Sequence, residues 1–142
     1  MSMPPLQTFA DQLVCFAHYE KVYCVAPIPT FDGIMVRFDK RDFLHLFFES
    51  RDRNGSKDVF SFRRSQRIDW IKAALQDPNA QVVQGWDPVK KVHTPDRRVC
   101  IVSGNYVVVI RILDVKKAKI HTAFVIDDPN VLTKLTAAPK WP

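Results

Sequence analysis

The pattern of apolar and polar positions changes its period once along the chain. Over residues 6–20 the apolar side chains fall at Leu6, Phe9, Ala10, Leu13, Val14, Phe16 and Ala17. Spacings of three and four recur there, which predicts a helix with Thr8 or Asp11 in its first turn. Val22 to Val25 reads as a short strand, after which Pro27 and Pro29 break the regularity. Asp32-Gly33 reads as a turn and Ile34 to Phe38 as a strand. Asp39 suits the N-cap of a second helix from Lys40 to about Ser50, with Asp42 near its positive end. The run 51–58, RDRNGSKD, is a charged loop. A third helix is predicted from Arg63 to Gln76, its apolar line formed by Ile68, Ile71 and Leu75 beside Trp70 and Ala74. Asp77-Pro78 stops it.

From residue 81 the period is two. Gln81–Trp86, Arg98–Val102, Tyr106–Leu113 and Lys119–Ile126 read as strands, separated by a basic loop (Pro88 to Asp96), a Ser103-Gly104-Asn105 turn and a hairpin connection across 114–117. Asp128 to Leu135 has room for a last helical turn or two, and 137–142 reads as a flexible tail. Helices followed by a four-stranded antiparallel meander predict a single α+β domain over 1–142. One or two helices should pack on one sheet face, and an antiparallel sheet allows the other to stay open.

Composition narrows the class. Hydrophobic residues are 46% and charged residues 25% of the 142, an ordinary globular balance that argues against disorder. A formal net charge of +6 suits an anionic partner such as nucleic acid, a membrane surface or an acidic protein, or serves only solubility. Three cysteines without a Cys-x-x-Cys spacing form neither a disulfide framework nor a zinc signature, and fit a reducing compartment as small buried hydrophobes. The start MSMPPLQTF lacks the features of a signal peptide, and no apolar run nears the ~20 residues of a membrane helix. A cytoplasmic protein without a membrane partner is expected.

A few residues fit a bland core poorly. On a helical wheel His45 falls just past the apolar arc of Phe43, Leu44, Leu46, Phe47 and Phe48. That predicts a half-buried imidazole, either an acid/base group or a boundary residue with no role. Arg64 lies at the centre of the face of Ile68, Ile71 and Leu75, and Arg67 on its flank. Buried arginines need a carboxylate, for which Asp39, Asp42 and Glu49 are available, or a cleft in which the guanidinium fork meets phosphate. Strict alternation sends His121 and Thr122 to opposite sheet faces, so that only one lines a given face. A tight hairpin would set Arg111 opposite Ile120, on the face of Thr122. Arg111 is either functional or an edge charge that discourages aggregation. No glycine-rich phosphate loop, Gly-x-Ser-x-Gly elbow or His-Glu-x-x-His occurs, and no metal site or cofactor is expected.

The runs DFLHLFFES and FSFRRSQRIDWIKAALQDP, and a hairpin ending in KIHTAFV, resemble nucleases of the barnase–EndoU–colicin–RelE (BECR) group, nearest the branch of phage and mobile-element toxins. The resemblance spans 37–127 and leaves 1–36 as an N-terminal extension. It implies metal-independent RNA cleavage through attack of the ribose 2′-hydroxyl on the adjacent phosphate. On the matching positions His45 would be the acid or base. Arg64, with Arg67 beside it, would stabilise the phosphate, and Thr122 would hydrogen-bond it or orient the nucleophile. His121, which precedes the matched threonine, could be the second acid/base group. Arg111 would add a phosphate contact, and Lys90, Lys91, Arg97 and Arg98 would hold the RNA backbone. The resemblance implies RNA and an acidic immunity protein or antitoxin as partners. A non-catalytic nucleic-acid-binding module and a phage or plasmid interaction protein stay open beside it, because fold does not carry function.

Overall fold

The computed structural model describes residues 3–49, 59–87 and 92–141, apart from the side chains of 86–87 and 92–97. The charged loop 51–58 lies outside the described residues. So does the stretch Pro88 to Lys91, which holds Lys90 and Lys91. The architecture is mixed α+β, with a large, mostly antiparallel sheet of six strands.

Helix α1 (Gln12–Tyr23) starts later and ends later than the apolar spacing predicts. Asp11 caps it, its carboxylate accepting from Val14 N at 3.0 Å, and Cys24 N–H closes it on the carbonyl of Glu20. The stripe it buries is Cys15, Tyr19 and Tyr23, each four residues apart, whereas Leu13 and Val14 face solvent. The expected strand at 22–25 is therefore the end of a helix. The first strand, β1 (Ile28–Pro29), lies further on and pairs with β2 (Met35–Arg37) across a turn where Gly33 takes φ 90°.

A single 3-10 turn (Lys40–Asp42) leads into α2 (Phe43–Phe47), which ends where Phe48 becomes extended. The short strands β3 (Phe48–Glu49) and β4 (Val59–Phe60) pair with each other, so the second helix is half its expected length. The predicted third helix is two helices. α3 (Phe62–Gln66) is capped by Ser61, and α4 (Ile68–Leu75) begins after Arg67 leaves helical geometry at ψ 21°. The meander strands are β5 (Gln81–Asp87), β6 (Val92–Ser103), β7 (Tyr106–Asp114) and β8 (Lys117–Val125). Spatial order is β1-β2-β8-β7-β6-β5, with β2 joined to β8 in parallel. Residues 28–37, most of them expected in an extension, thus complete the sheet.

Both sheet faces carry a core. On the first face, Val36, Val99, Ile101, Val108, Ile110, Ala118, Ile120 and Ala123 pack with the helices through Tyr19, Tyr23, Phe43, Phe47, Ile71 and Leu75. Val83, Cys100, Val102, Val107 and Val109 line the second face, which an antiparallel sheet allows to stay open, under Leu132 and Leu135 of α5 (Pro129–Thr136). Where a flexible tail was expected, the chain lies along β5, with Gln84 N–H donating to the carbonyl of Pro139 and Trp141 N–H to that of Val82. Burial pushes the Cys15 thiol up to about 12 and the Cys100 thiol up to about 11, which leaves both protonated and unreactive at neutral pH.

Tyr23 ties α1 to α4 through the helix backbone. Its hydroxyl donates to the carbonyl of Ile68 at 2.5 Å and accepts from Lys72 N–H at 3.1 Å, so it bridges an i, i+4 pair of α4. The ring is fully buried, and burial raises the phenol well above its usual range. Tyr23→Phe leaves two backbone groups to re-pair or go unsatisfied. We expect a loss of roughly 1–3 kcal/mol in urea unfolding at an unchanged m-value.

Candidate functional site

Among the described residues, strand β8 has no sheet neighbour on the β2 side beyond Lys119, and α2 and α3 pack against it. One backbone atom joins all three elements. The carbonyl of His45, near the C-terminal end of α2, accepts from Thr122 Oγ1 at 3.1 Å and from Arg64 Nη1 at 3.3 Å. Carbonyls of a last helical turn have no partner within the helix, and a guanidinium there also complements the helix dipole. Thr122 and Arg64 therefore first hold α2 in place, and with it the imidazole it carries.

That imidazole is exposed, not half-buried as the wheel implies, because α2 is too short for the arc to wrap it. It stacks on His121 with ring centroids 6.2 Å apart and an interplanar angle of 22°. Strict alternation does not allow His121 and Thr122 both to reach His45; a bulge does. Pairing runs Ile110 with Ile120 and then Val109 with Thr122, so His121 is an extra residue in β8. Such an insertion re-aims side chains locally. It also inverts the faces after it: Ile120 and Ala123 share the first core, while Phe124 and Ile126 belong to the second. Thr122 opposes Val109, a second-face residue, whereas α2, which carries His45, buries Phe43, Leu46 and Phe47 in the first core, so the histidine pair stands at the β8 edge between the two faces.

Arg64 connects this pair to a cluster of arginines. Its Nε lies 3.3 Å from Glu49 Oε1, one of the three carboxylates available to it, and its side chain is 19% exposed. Arg63 makes a forked ion pair with Asp127, one arm at 2.7 Å. That pair raises the guanidinium and holds the Asp127 carboxyl below its usual range. Arg67 lies 5.0 Å over the Trp70 ring and donates to the carbonyl of Arg63 at 2.9 Å, but its buried Nε has no hydrogen-bond partner among the described residues. Together with Glu49, Tyr106 and residues 123–125 of β8, these side chains line a cavity of about 140 Å³. It holds several waters or one small anion. An unmade bond from a buried cation costs 1–3 kcal/mol or more, so an oxygen of a bound anion at Arg67 would relieve it.

The proposed residues thus fall into two adjoining groups. His45, His121 and Thr122 converge, Arg64 and Arg67 converge, and Arg64 belongs to both. Arg111 stands apart, exposed and paired with Lys119 rather than Ile120, because a second irregularity, between Ile112 and Asp114, shifts the register beside the hairpin connection. Lys90 and Lys91 are outside the described residues. Glu49, Arg63, Tyr106 and Asp127 were not singled out as site residues from sequence. Only Glu49 had a local signal, four residues after His45, whereas Arg63 and Asp127 meet across 64 positions. Among the described residues no group of three metal-ligating side chains forms, and no helix is long and apolar enough to cross a membrane. Comparison of the chain with protein-family models, with curated proteins and with solved structures finds no match.

Proposed function

We propose that the chain is a metal-independent endoribonuclease of toxin type, built on a BECR-like arrangement of N-terminal helices and the β5–β8 meander. The observation that carries this reading is the imidazole pair, His45 and His121, 6.2 Å apart beside the Arg64 guanidinium. An acid or base works within about 2.6–3.2 Å of the atom it serves. Imidazoles carried by neighbouring elements can flank one phosphate, one serving the attacking oxygen and the other the departing oxygen on the opposite side of phosphorus. One takes the proton of the ribose 2′-hydroxyl as its oxygen attacks phosphorus. The other gives a proton to the departing 5′-oxygen, and a 2′,3′-cyclic phosphate remains. Arg64 has five N–H donors, of which the Glu49 and His45 contacts engage two, so the others can face charge growing on the phosphate. Arg67 adds a donor with no partner among the described residues. Action in the cytoplasm, under the control of an acidic immunity protein or antitoxin, belongs to the same reading.

A non-catalytic RNA-binding module is the second reading. It is favoured by the structural use of Thr122 and Arg64, both of which bond the α2 backbone. Incubation with total tRNA and mRNA in excess chelator separates the two. We expect cleavage that persists in chelator, leaves cyclic phosphate ends and is absent in His45→Ala. No cleavage by the wild-type protein, or equal cleavage by both, leaves the binding module.

A further inference from the structure

The second face of the sheet is only half covered. α5 packs on the rows that include Val102, Val107 and Phe124. Two rows further out, beyond the row of Cys100, Val109 and Thr122, the register aligns four cations across four neighbouring strands. Arg98 of β6 opposes Arg111 of β7, Arg111 opposes Lys119 of β8, and Lys119 opposes Arg37 of β2. Their sequence neighbours Val99, Ile110, Ile112, Ala118, Ile120 and Val36 all pack on the first face, so alternation places the four on the second. With strands ~4.8 Å apart, the row spans about 14 Å.

Like charges directly opposite each other destabilise a sheet. Asp39 and Asp42 offset one end of the row, lying 3.2 and 3.4 Å from Lys119 Nζ, and Asp39 lies 3.6 Å from Arg37 Nε. Among the described residues no carboxylate pairs with Arg98 or Arg111. The neighbouring row is Cys100, Val109 and Thr122, and Thr122 bonds the His45 backbone. The row's uncompensated members are thus Arg98 and Arg111, and Lys119, its member on β8, stands two residues before His121.

We infer that this row is the track for a polynucleotide backbone, which crosses β6, β7 and β8 perpendicular to the strands and delivers one phosphate to the gap between His45 and His121. The inference rests on the ribonuclease reading and names the part of the fold that grips its substrate. An RNA backbone fits better than an acidic protein because Lys119, the row's member on β8, stands two residues before His121, where only a phosphodiester has chemistry to undergo. No base-reading side chain is required, so recognition along the track is independent of sequence.

The test is binding of a fluorescent 2′-O-methyl oligoribonucleotide, which has no nucleophile and so separates grip from cleavage. Arg98→Ala combined with Arg111→Ala should weaken it roughly tenfold and flatten the plot of log K against log salt by about 1.4, two single-strand phosphate contacts. Lys72→Ala, an exposed charge on α4 on the other side of the sheet, should change neither. The double variant should also melt at a higher temperature in low salt, since it relieves a like-charge pair; a merely structural role for these arginines predicts a lower one. Unchanged affinity and slope, a loss matched by Lys72→Ala, or salt-dependent capture of polyglutamate in place of the oligonucleotide would overturn the track. If the arginine variant loses binding while the wild-type protein cleaves no RNA, the track stands and the ribonuclease reading fails.

Discussion

His45→Ala and His121→Ala are each expected to lower RNA cleavage by about 10²–10⁴-fold, and the double variant to lose little beyond the weaker single one. The reason is the shared phosphate. Two imidazoles at 6.2 Å act on opposite oxygens of one phosphorus, so loss of either stalls the proton traffic that the other depends on. His45 is exposed on α2, and what anchors the helix is its backbone carbonyl, not the ring. Truncating the ring should therefore change stability by no more than about 0.5 kcal/mol, and a fall in activity at constant melting temperature separates chemistry from folding. The pH profile supplies a second readout. A bell for the wild-type protein should lose one limb in each single variant. Losses that add across the double variant, or an unchanged bell in either single one, would remove the pair from the mechanism.

The two halves of the chain were legible to different degrees, for a physical reason. In 98–126 the β-branched runs alternate, and a side chain's face follows from its parity until a residue is inserted. The insertion at His121 has no composition of its own, so alternation set His121 against Thr122 where the fold uses both. A second register shift, between Ile112 and Asp114, moved Arg111 from Ile120 to Lys119, and the resulting pairing disclosed a row of cations that no single strand displays. The first half was harder to read because its helices are short and packed by tertiary contacts. α1 buries Cys15, Tyr19 and Tyr23 while Leu13 is 72% exposed, so hydrophobicity pointed to the wrong stripe. Continuing one helix through Arg67 placed Arg64 at the centre of a buried face. The break there lets it reach Glu49 and the His45 carbonyl instead. His45 and Arg64 were visible as residues out of keeping with a core. Their companions Arg63 and Asp127 are far apart in sequence, and only the folded chain brings them together.

Gly85→Ala is expected to cost about 3 kcal/mol, a fall of roughly 10 °C in melting temperature, although it adds a single methyl group. Strand β5 pairs Gln84 with Val99 but Gly85 with Thr94, so residues 95–98 have no partner on β5, although Arg98 stays paired with Arg111 on β7. Pro95 lies in that irregular stretch and has no N–H to give to a ladder. Arg98 crowds Gly85, where a Cβ would stand 2.4 Å from Arg98 Cβ, 2.6 Å from its carbonyl oxygen and 2.8 Å from its carbonyl carbon. Two of those three atoms are backbone and cannot rotate away, so the strands themselves must part. Arg98→Gly removes only the Cβ contact. Placed on Gly85→Ala, it should therefore leave most of the loss in place. A melting temperature unchanged in Gly85→Ala, or restored by Arg98→Gly, would show that the two strands do not approach through their backbones. The same crowding bears on the cation row, because Arg98 is its β6 member and any parting of β5 from β6 displaces it relative to Arg111. Folded Gly85→Ala protein should accordingly bind the 2′-O-methyl oligoribonucleotide less tightly than wild type, with the position of Arg98 disturbed and its charge intact.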